Sequence, residues 1–178
     1  MRQATFSNPE DASEYLANYI IHKINTTTSS PFVLGLPTGS SPEGIYARLI
    51  KANKEGRVSF KNVVTFNMDD TWAWLLRTCS PTTTSFLQPR RHPPRNINIL
   101  NGLAADVEKE CADYEAKIKK YGRINLFLGG LGPEGHLAFN EAGSSRDSIT
   151  RKVDLVESTI KANSRFFGND EARCQSTP

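Results

Sequence analysis

The residues best able to do chemistry in this 178-residue chain are a histidine and two carboxylates on a glycine-rich stretch. Gly129-Gly130-Leu131-Gly132-Pro133-Glu134-Gly135-His136-Leu137-Ala138-Phe139-Asn140-Glu141 puts Glu134, His136 and Glu141 within eight positions of one another. Carboxylates beside an imidazole orient the ring and tune its proton affinity toward working pH, as general acid–base catalysis requires. A histidine in a glycine turn can also be purely structural; the flanking acids and glycines favour the catalytic reading. Two further groups carry chemical meaning. Thr38-Gly39-Ser40-Ser41 falls between a short apolar run and a helical pattern, where backbone N–H groups, hydroxyls and the helix dipole favour an anion such as phosphate. It reads equally as an ordinary strand-to-helix turn with a serine cap, and it is not a nucleotide-triphosphate loop, because no Gly-Lys-Ser/Thr follows. Asp69 and Asp70 end the apolar run 63–68, so a carboxylate there is either a general base above a sheet or a turn acid.

The elements that must position these groups follow from periodicity. Ser7-Asn8-Pro9 supplies a cap and a first-turn proline, and Ala12, Tyr15, Leu16, Tyr19, Ile20 and Ile24 recur at helical spacing, giving a helix that ends near Asn25. Residues 31–36 read as a strand, and Ile45, Tyr46, Leu49 and Ile50 as the apolar face of the helix after the Thr38–Ser41 loop. Strands are expected at 63–68, 97–100 and 124–128, with a helix carrying Val107, Cys111, Tyr114 and Ile118 between the last two. Strands alternating with helices imply an α/β fold: a doubly wound, mostly parallel sheet with helices on both faces and functional groups at the carboxyl ends of its strands. Residues 71–94 break the pattern, with two tryptophans, four prolines and three arginines but no acid and no periodicity.

Composition narrows the function. A net charge of +3, with 22 basic residues scattered among 19 acids, leaves no basic stripe for nucleic acid. The three cysteines, Cys79, Cys111 and Cys174, have no paired spacing, which points away from a disulfide framework or a zinc site and toward a reducing, cytoplasmic compartment. No run of 18 apolar residues is present to span a membrane.

Taken together, P-F-V-L-G-L-P-T-G-S-S-P at 31–42, V-S-F-K-N-V-V-T-F-N-M-D at 58–69, G-G-L-G-P-E-G-H-L-A-F-N-E at 129–141 and A-N-S-R-F-F at 162–167 resemble the glucosamine-6-phosphate deaminase (isomerase) family. The A-F-N-E after the histidine separates the chain from the related 6-phosphogluconolactonases. The resemblance implies an incomplete doubly wound sheet over a single domain at 1–170, lacking the family's C-terminal third, with 71–93 and the tail 171–178 matching nothing in it. For both stretches the expectation is a shifted reading frame, since bases encoding Gln88-Pro89-Arg90-Arg91-His92, read one position over, give Ser-His-Val-Asp-Ile.

By position, the resemblance makes Asp69 the base that moves a proton between C2 and C1, and His136 the group that opens the sugar ring. Glu134 and Glu141 would orient that ring, and Thr38, Gly39, Ser40, Ser41 and Arg165 would hold the substrate phosphate. The implied reaction turns glucosamine 6-phosphate and water into fructose 6-phosphate and ammonia with no metal or cofactor, in a homo-oligomer, commonly a hexamer. Glu134 departs from the aspartate usual in the family, and 148–161 match it poorly. The alternatives are a lactonase-like sugar-phosphate hydrolase and a non-catalytic remnant that binds sugar phosphate.

Overall fold

In a computed structural model the structure describes residues 3–28, 31–68, 86–87, 91–132, 135–164 and 169. Helix α1 (Pro9–Thr26) starts as its sequence requires: Asn8 is extended and its side chain accepts from the Asp11 N–H, Pro9 fills the first turn, and Glu10 and Asp11 face the positive end of the dipole. Strand β1 (Phe32–Leu36) and helix α2 (Glu43–Lys54) follow, then β2 (Val63–Asn67), a 3-10 turn (Pro94–Asn96), β3 (Ile97–Asn98), α3 (Val107–Lys120), β4 (Leu126–Phe127) and α4 (Glu157–Ser164).

The strand order is β3-β2-β1-β4, and every pairing is parallel. Phe32 pairs with Val63 and Leu36 with Asn67 on one side of β1, while Leu34 pairs with Leu126 and Gly35 with Phe127 on the other. Sequence order reverses across β1, so the neighbouring connections leave in opposite directions and a crevice opens at its carboxyl end. All five residues of β1 and of β2 are buried, as in parallel sheets covered on both faces. One face packs Phe32, Leu34, Leu36 and Val63 against Ala17, Ile20 and Ile21 of α1 and Ile45, Tyr46 and Leu49 of α2. The other packs Val33, Val64 and Phe66 against Tyr114 of α3.

Polar ties fix the strand ends that face the crevice. The Tyr46 hydroxyl donates to Pro37 O at 2.8 Å, holding the chain as it leaves β1. The Tyr114 hydroxyl lies 2.7 Å from Asn67 O and 3.1 Å from Asn98 O, joining the ends of β2 and β3. Beside β4, the Asn125 side chain accepts from the Val33 N–H at 2.7 Å while the Asn125 N–H donates to Val33 O at 2.9 Å. A side-chain amide thus extends a ladder only two residues long.

The expected strands at 97–100 and 124–128 shorten to two residues each; the Asn98 and Asn125 side chains add bonds to the neighbouring strands, and backbone bonds from Asn125 to Val33 and from Leu128 to Gly35 flank β4. Helix α4 lies in the segment where no helix was read from periodicity. The expected irregular stretch at 71–93 is described only at 86–87 and 91–93, and there it is anchored in the core: Phe86 stacks on Tyr46 at 5.1 Å, and His92 lies on Phe60 at 4.9 Å. Among the described residues no helix is long and apolar enough to cross a membrane.

Burial pushes the His92 imidazole down to about 4, with backbone hydrogen bonding at Phe86 opposing the shift and the Arg91 charge adding to it. A group whose folded value is depressed below its unfolded one stabilises the fold above the unfolded value, and that stability is lost as pH falls through the window between them. Stability is therefore expected to fall by about 3 kcal/mol between pH ~6.5 and pH ~4 on this account. Denaturant titrations across that range should show the slope, and His92→Leu should flatten it.

Candidate functional site

The crevice at the end of β1 is an open cleft of about 280 Å³. Pro37 and Thr38 after β1, Ser41, Pro42 and Ile45 at the start of α2, Met68 after β2 and residues 128–132 after β4 line it, together with His136, Ala138 and Phe139. Leu16 of α1 completes the apolar wall.

On the α2 side, Gly39 turns the chain at φ +84°, a conformation that costs glycine little. The N-cap of α2 is Pro42, and no side chain caps the helix, so the serine-cap reading of this loop does not hold. The uncapped N-terminus, with its positive dipole end, abuts the cleft beside Thr38 and Ser41.

On the β4 side, the chain reverses twice. The Gly135 N–H donates to Gly132 O and the Gly132 N–H to His136 O, each at 2.9 Å, and Gly135 is left-handed at φ +77°. Ala138 and Phe139 then occupy φ +51° and +58° in succession. The Asn140 N–H and its side-chain amide both donate to Leu137 O, at 2.9 and 2.8 Å, closing a tight turn around those two residues. Left-handed backbone costs an L-residue roughly 1–2 kcal/mol, so two in a row must be held by their surroundings.

That turn brings Glu141 back to His136. The carboxylate Oε2 lies 3.2 Å from the imidazole Nδ1, and both side chains are about nine-tenths buried, at 11% and 10% exposure. The contact is a close polar approach short of a formed hydrogen bond, and His136 Nδ1 and Glu141 Oε1 are both buried with no hydrogen-bond partner among the described residues. Catalytic hydrogen bonds often tighten only when substrate is bound, and a buried orphan oxygen favours the donor that completes it.

The structure thus brings together Thr38, Ser41 and His136 on one cleft, with Glu141 behind the imidazole; Gly39 and Ser40 belong to the same loop. Asp69, Glu134 and Arg165 lie outside the described residues, as does Asp70; Met68, the neighbour of Asp69, lines the cleft. Sequence reading missed Ala138 and Phe139 as shaping residues, because nothing in their types signals a left-handed turn. Among the described residues no cluster of three or more His, Cys, Asp or Glu side chains could hold a metal.

Comparison with known proteins gives this geometry its kinship. The model of the family described as glucosamine-6-phosphate isomerases/6-phosphogluconolactonase matches residues 7–158. The chain belongs to that family. A glucosamine-6-phosphate isomerase of Candida albicans is 70% identical, over 97% of this chain and 71% of its own length. A glucosamine-6-phosphate deaminase of Parabacteroides distasonis is 52% identical, and the chain spans 66% of its length. The solved structure of a monomeric glucosamine-6-phosphate deaminase superposes with a TM-score of 0.77 at 32% identity, covering 94% of this chain and 70% of that one. The 6-phosphogluconolactonase of Thermotoga maritima shares the fold, at a TM-score of 0.56 and 20% identity. Within the family, then, the A-F-N-E stretch that shapes the turn belongs to a chain whose high-identity relatives bear isomerase and deaminase names.

The strain in the turn is testable. Ala138→Gly should leave stability within about 1 kcal/mol, the left-handed gain offsetting the entropy of the freer unfolded chain. Ala138→Val, β-branched at a positive φ, should cost roughly 2 kcal/mol by denaturant unfolding.

Proposed function

We propose that this chain converts glucosamine 6-phosphate and water into fructose 6-phosphate and ammonia, using acid–base chemistry without metal or organic cofactor. The observation that carries the reading is the His136–Glu141 pair, buried behind a cleft whose opposite wall is the uncapped start of α2. Relatives with 70% and 52% identity bear the isomerase and deaminase names.

In this reading the phosphate sits on Thr38, Gly39, Ser40 and Ser41 at the α2 dipole, with Arg165 as the counter-charge. That end anchors the sugar so that its C1–C2 end reaches the strand termini. His136 passes the proton between the anomeric hydroxyl and the ring oxygen, which opens the ring. Glu141 and Glu134 hold the imidazole in the tautomer that can do so. Asp69, one residue beyond Met68, takes the proton from C2 and returns it to C1. As C1 gains that proton, O1 takes a proton and the C2 amine gives one up, leaving an imine at C2; water attacks it, its oxygen becoming the ketone oxygen while nitrogen leaves as ammonia. Leu16, Ile45, Met68 and Leu128 give the carbon acid an apolar wall.

A cytoplasmic, reducing setting belongs to the same reading, in keeping with three cysteines that have no paired spacing. So does self-association, for which Phe127, Leu131 and Leu137, on and after the edge strand β4, offer exposed apolar surface.

The test is ammonia release from glucosamine 6-phosphate by the purified chain, with 6-phosphogluconolactone as the competing substrate. His136→Gln should lower kcat by roughly 10²–10⁴-fold while KM changes little. Asp69→Asn should abolish exchange of the C2 proton with solvent and leave binding of the sugar phosphate intact. Lactone turnover without ammonia release would replace the reading with its hydrolase alternative.

A further inference from the structure

We infer that Gly132 and Phe139 form the two jaws that set the imidazole of His136, and that both are positioning residues for ring opening. The inference rests on the deaminase reading for its kinetic consequence and on geometry for its substance.

The first jaw is a glycine surface. A Cβ built on Gly132 would overlap the His136 ring, meeting Nε2 first and then Cδ2 and Cε1. The edge of the ring that carries the catalytic nitrogen therefore rests on a bare Cα. What glycine supplies here is room for that close approach, its own φ not being among the left-handed ones, and a Cβ would displace the ring. The Gly132 N–H also donates to His136 O, so the same residue holds both the main chain and the ring of the histidine.

The second jaw is the Phe139 ring, whose centroid lies 6.0 Å from that of His136 at an interplanar angle of 45°. Phe139 belongs to neither core cluster of the described residues; it lines the cleft. A large aromatic held at φ +58° away from the core is strain spent at the site, and the ring it touches is the imidazole. With Glu141 Oε2 at Nδ1, three contacts then fix the ring: the carboxylate limits its rotation, while Gly132 and Phe139 limit its displacement. A general acid–base group misplaced by about 1 Å can lose on the order of 10²-fold in rate, so this seat bears on kcat.

The experiment has a kinetic arm and a ligand-free arm. Gly132→Ala should lower kcat by roughly 10–10²-fold with KM and the unfolding midpoint near the parent's. Phe139→Ala should lower kcat by roughly tenfold, and Phe139→Tyr should restore it. An open-chain 2-amino-2-deoxyalditol 6-phosphate, which needs no ring opening, should bind both loss variants as tightly as the parent. In the His136→Gln background neither substitution should lower the residual rate further, because the group they position is gone. In the free protein, the His136 ring-proton resonances, assigned by their absence in His136→Gln, should move in both Gly132→Ala and Phe139→Ala. If the parent releases no ammonia, the deaminase reading falls and the resonances decide the clamp alone. Unmoved His136 resonances, or rate losses that persist undiminished in the His136→Gln background, would overturn it.

Discussion

The pairing of β1 with β4 is the contact on which the cleft depends. Without it β1 would be an edge strand with no crevice at its carboxyl end, and the segment after β4 that carries His136 would have no fixed relation to the loop at the start of α2. The pairing is short, with two registered residue pairs, and is strengthened where backbone alone would be weak: Asn125 satisfies both the N–H and the C=O of Val33. Gly35 is part of the same joint. A Cβ there would fall inside the Phe127 ring, so the close packing of its cross-strand neighbour requires a residue without one.

From that joint the site is built by chain reversal rather than by regular elements. The Gly132–Gly135 turn presents His136, and the left-handed pair Ala138–Phe139 folds the chain back so that Glu141 stands behind the ring. The strain of the second turn is borne locally by the double hydrogen bond of Asn140 to Leu137 O. The loop beyond is tied to α3, where the Thr150 N–H and hydroxyl both donate to Glu115 Oε1, at 2.9 and 2.7 Å. Helix α3 thereby serves both sides of the crevice, through Tyr114 at the ends of β2 and β3 and through Glu115 at this loop.

Much of this was legible in the sequence where a strong period or a special residue type acted alone. The cap of α1 and the apolar stripes of α1, α2 and α3 marked the helices, and the mainly apolar runs marked β1 and β2, because residues buried on both faces of a sheet are mostly apolar, Thr65 and Asn67 being the buried polar exceptions. The short strands β3 and β4 were legible in place but not in length, since the asparagine side chains that bond across to β2 and β1 leave no periodic trace. Thr38, Ser41 and His136, which line the cleft, and Glu141 behind the ring are residues that type and spacing single out. Gly132, Ala138 and Phe139 could not be given their roles, because close approach and positive φ are properties of the folded path. The 71–93 sequence shows the opposite failure: its lack of period hid Phe86, Leu87 and His92, which the core buries, Phe86 and His92 through isolated aromatic contacts.

The central claim is that this path makes Glu141 the partner that fixes the imidazole of His136, and the ring-nitrogen resonances of His136 report on it most directly. In ¹⁵N-labelled protein at a pH where the ring is neutral, the account predicts protonation on Nδ1, beside Glu141, with Nε2 left as the unprotonated nitrogen. Glu141→Ala should release that preference and shift the populations toward the Nε2–H form. A parent protein already in the Nε2–H form, or one whose tautomer is indifferent to the loss of Glu141, would contradict it.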